Sequence, residues 1–199
     1  MSSESARLRS RNLRTLAVLA GLFLMPLVVS FWVYYATDWR PASHVNHGEL
    51  ISPVRPLPHV SLPIVQGDHA VPDLFSHNWS LVYVGPGNCN DSCRHTLYVM
   101  RQTRLALNND MTRVDRVFLA TDECCDRGFL ARLHMGLVVL AASGAAAEPL
   151  LHVFPTEERA NSLFVVDPLG NLMMQYDARQ DPKGLLQDLQ KLLRLSHIG

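Results

Sequence analysis

The chain is poor in charge. Charged residues make up 18% of its 199 residues, against about 25% in typical globular proteins, and 18 Lys and Arg balance 18 Asp and Glu. A neutral chain has no basic field to hold nucleic acid, so we expect no nucleic-acid partner. The 48% hydrophobic content excludes an intrinsically disordered protein. The glycine-rich phosphate loop, the serine nucleophile elbow and the His-Glu-x-x-His zinc motif are also missing.

An uncharged stretch near the N-terminus accounts for much of the apolar content. Residues 15–37 carry no charged side chain, and a helix of this length spans about 34 Å, enough to cross the hydrocarbon core of a bilayer. Arginines precede the stretch and aromatic residues crowd its far end, which predicts a cytoplasmic N-terminus and an exported C-terminal part. A cleaved signal peptide is the alternative, but the stretch is long for one and no small-x-small cleavage site follows it.

The chain is therefore expected to have a single-pass anchor in the inner, cytoplasmic membrane and a domain in the periplasm or an equivalent exported space. Residues 1–14 form the basic cytoplasmic N-terminus and residues 15–37 the transmembrane helix. Residues 38–79 contain six prolines and little apolar periodicity, which predicts a tether with extended edge segments, among them residues 60–65.

An alternation of strands and helices follows. Nearly continuous apolar runs predict buried strands at residues 80–85, 114–121, 162–166 and, after a turn, 172–176. Helical spacing of apolar residues predicts helices at about residues 89–107 and 126–140 and after Asp181. The alanine-rich residues 141–147 are expected to form a loop or a core helix. This order of elements is that of a thioredoxin-like α/β fold over residues 80–199.

Cys89 and Cys93 lie where the first of these strands passes into a helix. At a spacing of four residues both sulfurs project from one helix face, with the Cα atoms about 6 Å apart, close enough for a disulfide. The helix N-terminus is expected to stabilise the Cys89 thiolate. The pair can exchange electrons as dithiol and disulfide, or present two soft thiolates to Cu(I). A structural disulfide that closes one turn is the alternative.

Cys124 and Cys125 directly follow the second buried strand. If the two strands are parallel neighbours, both cysteine loops emerge at the same edge of the sheet. The adjacent cysteines would then supply a resolving thiol or a copper ligand, or they are two small loop residues without a function.

With an N-terminal anchor, a proline-rich tether and C-x-x-x-C after a buried strand, the chain resembles the Sco family of cytochrome c oxidase assembly factors. The resemblance runs from the anchor to the C-terminal helix and implies that Cys89 and Cys93 are the copper or redox pair. It places a third copper ligand, a histidine, where this chain has Arg159. His152, seven residues earlier, is the nearest histidine that could replace this ligand. The alternative interpretation is that His152 is an ordinary surface or loop histidine.

Other soft or basic side chains are weaker candidates for metal or proton chemistry. His44 and His47 are expected to be solvated in the tether, the methionines at residues 100, 135, 173 and 174 to fill the core, and Asp91 to stabilise a helix start. The sequence thus predicts a Sco-like protein that handles copper or the thiols of an oxidase subunit or another client. The alternatives are a membrane-tethered thiol:disulfide oxidoreductase without copper and a non-catalytic accessory protein of a membrane complex.

Overall fold

A computed structural model describes residues 2–36, 46–67 and 74–196 of the chain, with side chains from residue 12 onwards. The chain divides into two compact units, Met1–His44 and Val45–Gly199. The first unit consists of one long helix, α1 (Ser2–Ala36), within which Asn12–Ala36 is long and apolar enough to cross a membrane. Nearly every side chain of this stretch is exposed. The last residue of the predicted span, Thr37, lies outside the described residues.

One seven-stranded sheet organises the described part of the second unit. Its strands are β1 (Glu49–Pro56), β2 (Ile64–Gln66), β3 (Trp79–Gly85), β4 (Val114–Ala120), β5 (Leu137–Ala141), β6 (Ser162–Val166) and β7 (Asn171–Asp177). Their spatial order is β1-β7-β6-β3-β4-β5-β2. The strands β3, β4 and β5 are parallel, and β6 and β7 form the antiparallel hairpin predicted from the turn. The predicted α/β thioredoxin-like arrangement is confirmed.

Helices cover both faces of the sheet because its central strands are apolar on both sides. On one face, Leu81 and Tyr83 of β3 pack in a cluster with residues of three helices: α2 (Asp91–Ala106), α3 (Arg127–Leu133) and α5 (Pro182–Leu195). On the other face, Val82 and Val84 pack with Leu150 of a short helix, α4 (Glu148–Leu151). Short 3₁₀ helices at Asn108–Arg113 and Arg159–Asn161 lead into β4 and β6.

The prediction of one helix over residues 126–140 is wrong. Helix α3 ends at Leu133, and the run Leu-Val-Val-Leu-Ala forms strand β5. Gly136 lies between the two elements with φ +72°, a left-handed conformation that glycine adopts without a steric penalty, in a turn closed by a 3.1 Å hydrogen bond from the N–H of Leu137 to the backbone oxygen of His134. The paired β-branched valines then fit a fully buried strand between β4 and β2.

The segment predicted as a tether with edge segments contains both edge strands. Strand β1 pairs with β7, and β2 pairs with β5 within the predicted residues 60–65 and one residue beyond. A buried carboxylate of α5 holds the start of β1, because Asp188 accepts hydrogen bonds of 2.8 Å from the backbone N–H groups of His47 and Gly48. The described residues from 46 onwards are thus part of the folded domain.

Candidate functional site

The first cysteine pair lies between the end of β3 and the start of α2. Asn90 caps α2, since its side-chain oxygen accepts a 3.1 Å hydrogen bond from the backbone N–H of Cys93. Cys89 precedes the cap with φ 42°, a left-handed conformation that is uncommon for a residue other than glycine. Cys89 and Cys93 form a disulfide with their Cα atoms 5.0 Å apart. Cys89 retains 3% exposure and Cys93 none, so only Cys89 reaches the surface.

A cation lies beside this pair. Arg94 donates a 3.2 Å hydrogen bond from Nε to the backbone oxygen of Cys89. Its guanidinium lies 4.4 Å from the centre of the Phe129 ring and 3.9 Å from the Asp126 carboxylate. The positive end of α2 is expected to favour a thiolate at Cys89 in the reduced protein. Arg94 was not among the residues predicted from the sequence, although its position directly after Cys93 was a usable signal.

The second cysteine pair lies against the first loop. Because β3 and β4 are parallel neighbours, their carboxyl ends meet at one edge of the sheet. Gly87 donates a backbone hydrogen bond to the Asp122 side chain, and a Cβ atom at Gly87 would stand 2.8 Å from the Cα of Cys124. Only glycine therefore allows this approach of the two loops. Cys124 and Cys125 are joined in a vicinal disulfide and pack, half-buried, on the same core cluster as Cys89 and Cys93.

The structure does not bring His152 to the cysteines. His152 is exposed and follows α4, whose Leu150 packs on the opposite face of the sheet. Arg159 stands where the resemblance places a histidine, and its guanidinium donates to the backbone oxygens of Leu151 (3.1 Å), Phe154 (2.6 Å) and Pro155 (3.1 Å). Burial lowers the pKa of Arg159 from its ordinary value. The side chain thus satisfies backbone carbonyl groups at the C-terminal end of α4 and in the turn that follows it.

The remaining predicted candidates are dispersed. Asp91 lies in the first turn of α2, Met100 and Met174 are buried, and Met135 is 78% exposed. His44 lies outside the described residues. Among the residues that the structure describes, no three His, Cys, Asp or Glu side chains form a group that could hold a metal ion.

A buried strand that leads into a cysteine pair at a helix N-terminus, within a sheet covered on both faces, defines a thioredoxin-like protein. The chain belongs to the family of transmembrane-like, thioredoxin-like C-terminal domains, whose sequence model matches residues 79–196. A comparison with curated protein sequences gives no match.

Solved Sco structures share the fold. Apo Sco1 from Thermus thermophilus is 20% identical with a TM-score of 0.58, and the match covers 76% of this chain and 99% of that protein. Yeast Sco1 is 15% identical with a TM-score of 0.58, covering 70% of this chain and 97% of that one. Yeast Sco1 with copper bound is 14% identical with a TM-score of 0.55, covering 77% and 96%. The resemblance to Sco proteins is thus confirmed at the level of the fold.

Proposed function

We propose that the chain is a membrane-anchored, exported Sco-like protein that performs thiol–disulfide exchange through Cys89 and Cys93. The observation that carries this proposal is the disulfide at the N-terminus of α2, with one barely exposed and one fully buried cysteine and the Arg94 guanidinium beside it. A structural crosslink of five residues would constrain little of the unfolded chain and needs no such surroundings. The left-handed backbone of Cys89 is also typical of functional sites.

In the proposed reaction the reduced protein attacks a disulfide of its client. The Cys89 thiolate forms a bond to one client sulfur and releases the other as a thiolate. Cys93 then attacks Cys89, which frees the second client thiolate and closes the Cys89–Cys93 disulfide. Two electrons pass to the client, and a separate dithiol donor must return the protein to its reduced state. Cys89 is the attacking residue because Cys93 is fully buried.

Delivery of copper is the second candidate function. Two thiolates at Cys89 and Cys93 are ligands that Cu(I) prefers, and the resemblance to Sco proteins favours this cargo. Arg159 holds backbone carbonyls where that resemblance places the histidine ligand. The contact between Gly87 and the Cys124 loop favours a thiolate of Cys124 or Cys125 as the third ligand, and His152 would require a rearranged loop.

The client in this proposal is a subunit of cytochrome c oxidase or another protein with copper-binding thiols. The support is the Sco-like fold together with the apolar helix α1, which would hold the domain at the membrane where such a client is inserted. In this proposal the N-terminus lies in the cytoplasm and the domain in the periplasm or an equivalent exported space; the arginines before the span support this orientation.

Anaerobic titration with Cu(I) against a competing chelator separates the two candidates. The full chain in detergent is reduced first, and the Cys89→Ser/Cys93→Ser variant is the control. If wild type takes one equivalent of Cu(I) that the variant does not, copper handling is supported. The Cys124→Ser/Cys125→Ser variant then shows whether the second pair supplies a ligand. A wild type that never outcompetes the chelator excludes copper delivery.

Trapping with a disulfide-bonded synthetic peptide tests the exchange reaction. Reduced Cys93→Ser is expected to accumulate a mixed disulfide with the peptide, because Cys89 attacks and nothing resolves it, whereas Cys89→Ser accumulates little. A chain that neither binds Cu(I) nor forms this adduct would instead be a non-catalytic accessory protein.

A further inference from the structure

A cavity of about 180 Å³ lies at the other end of the sheet from the cysteines. Four arginines line it together with three apolar residues, and we refer to it as the arginine cavity: Arg101, Arg104, Leu105, Arg116, Arg132, Leu133 and Met135. Arg116 pairs in register with Leu81, near the start of β4. It is therefore about 13 Å along the strand from the end at which the cysteine loops emerge.

Arg116 is a buried cation with unused donors. The residue is 4% exposed, and its Nη2 donates to the backbone oxygen of Met135. Among the described residues its Nε and Nη1 have no hydrogen-bond partner. A buried guanidinium without a counter-charge is costly, since its lost hydration is not replaced.

The surrounding charges are all of the same sign. No acidic residue lines the arginine cavity, and within the described part of the chain none of its four arginines takes part in an ion pair. The Nε of Arg104 donates a hydrogen bond to the backbone oxygen of Val114, and the Nε of Arg132 donates one to the backbone oxygen of Gly128. Burial together with Arg104 and Arg101 lowers the pKa of Arg116 to about 10. Positive charge thus accumulates here in a chain that is neutral overall.

We propose that the arginine cavity is a binding site for a phosphate-type oxyanion, supplied either by a free phosphoryl compound or by the headgroup of an anionic phospholipid. Guanidinium groups match the geometry of phosphate oxygens, and one dianion offsets the repulsion among several arginines at once. The volume of about 180 Å³ is more than ten times the roughly 10–15 Å³ that one water molecule needs by the same measure, which is room for a tetrahedral anion and part of its carrier. The inference is independent of the chemistry at Cys89 and Cys93.

Inorganic phosphate is the first probe. Binding to the full chain in detergent is measured by calorimetry, with chloride added to hold the ionic strength constant. Wild type is expected to bind phosphate saturably. Arg132→Gln, an exposed position whose loss does not threaten the fold, is expected to weaken binding about tenfold, because the anion loses a charge-assisted hydrogen bond. The exposed Arg127→Gln, outside the cavity, is the matched control and is expected to bind like wild type.

A soluble short-chain phosphatidic acid and glycerol phosphate distinguish the two sources. Tighter binding of the lipid points to a headgroup, and equal binding points to a free phosphoryl compound. Arg116→Lys keeps a charge in the core and is expected to bind either probe at least tenfold more weakly than wild type. The proposal is overturned if wild type binds neither phosphate nor the lipid, or if Arg132→Gln and Arg116→Lys both bind as tightly as Arg127→Gln.

Discussion

Arg159 occupies the position at which the resemblance to Sco proteins implies a histidine, and the structure gives it a different role. Its guanidinium donates to three backbone oxygens around the end of α4, and the adjoining Ala160 accepts a 3.2 Å hydrogen bond from the Tyr83 hydroxyl of β3. The segment before β6 is therefore held by an arginine that bonds carbonyl groups and does not contribute a metal ligand. A guanidinium cannot lose its proton at physiological pH, so this position does not bind Cu(I).

The structural role of Arg159 is testable by unfolding in urea. Arg159→Ala leaves the three carbonyl oxygens without their donor, and we expect the free energy of unfolding to fall by about 1–3 kcal/mol. Arg127→Ala removes an exposed arginine and is expected to change it by no more than about 0.5 kcal/mol. Equal stability of the two variants would show that the contacts of Arg159 contribute nothing.

We expect His134 to make the stability of the domain depend on pH. Burial, together with the charges of Arg116 and Arg101, lowers the pKa of His134 to about 4. The unfolded imidazole titrates near 6.5, so between these values the unfolded chain binds more protons than the folded one. The contribution of the buried, neutral His134 to the free energy of unfolding is complete above about pH 6.5 and is lost as the pH falls toward 4.

We expect the free energy of unfolding to fall by up to about 1.4 kcal/mol per pH unit across this window. Urea titrations at several pH values between 7 and 4.5 measure it. In His134→Phe this part of the pH dependence should disappear, whereas His152→Phe, at an exposed histidine, should keep it. The assignment fails if wild type and His134→Phe have the same pH dependence.

At the scale of elements, the attachment of β1 depends on one carboxylate of α5. Asp188 is 5% exposed and accepts the backbone hydrogen bonds of His47 and Gly48. Gly184, one turn earlier, allows this approach, because a Cβ there would stand 2.8 Å from the Cβ of His47. Helix α5 and strand β1 are therefore expected to detach together.

Asp188→Ala should release the start of β1. The backbone N–H groups of His47 and Gly48, the latter buried, lose their carboxylate acceptor, so we expect a loss of about 3 kcal/mol in the free energy of unfolding and faster amide hydrogen exchange in β1. Asp188→Asn retains an acceptor oxygen and should lose less. The neighbouring exposed Gln187→Ala serves as the control. Unchanged exchange in β1 of Asp188→Ala would contradict this account.

The segment at residues 126–140 shows where element prediction from the sequence fails. Apolar residues recur there at a spacing that suits one helix, yet α3 ends at Leu133 and β5 begins at Leu137. A short apolar run is compatible with a buried helix or a buried strand, and its neighbours decide between them. Here β4 on one side and β2 on the other supply the backbone hydrogen bonds of a strand.

At the scale of the whole molecule, α1 is expected to keep the chain in the membrane. Arginines at two central positions, Leu22→Arg/Val28→Arg, each cost about 3 kcal/mol of insertion free energy. We expect wild type to resist extraction at alkaline pH at its full mass of 22.3 kDa and the double variant to be extracted, with Leu22→Ala/Val28→Ala as the control. A shortened wild-type chain in the soluble fraction would indicate a cleaved signal peptide.

The sequence by itself determined the features that depend on local patterns. These are the apolar helix α1, the buried strands β3, β4 and β6, the hairpin to β7, the capped C-terminal helix α5 and the disulfide-forming spacing of Cys89 and Cys93. Each is set by residues a few positions apart, because helix and strand periodicity, caps and turns are local properties.

Only the tertiary structure decided which distant residues meet. In the folded chain, β1 pairs with β7, and the Cys124 loop lies against Gly87. The Arg159 side chain bonds the end of α4, and four arginines line one cavity. These contacts follow from the order of strands in the sheet and the face that each helix covers. That order minimises the free energy of the whole core and is not encoded in any single stretch of the chain.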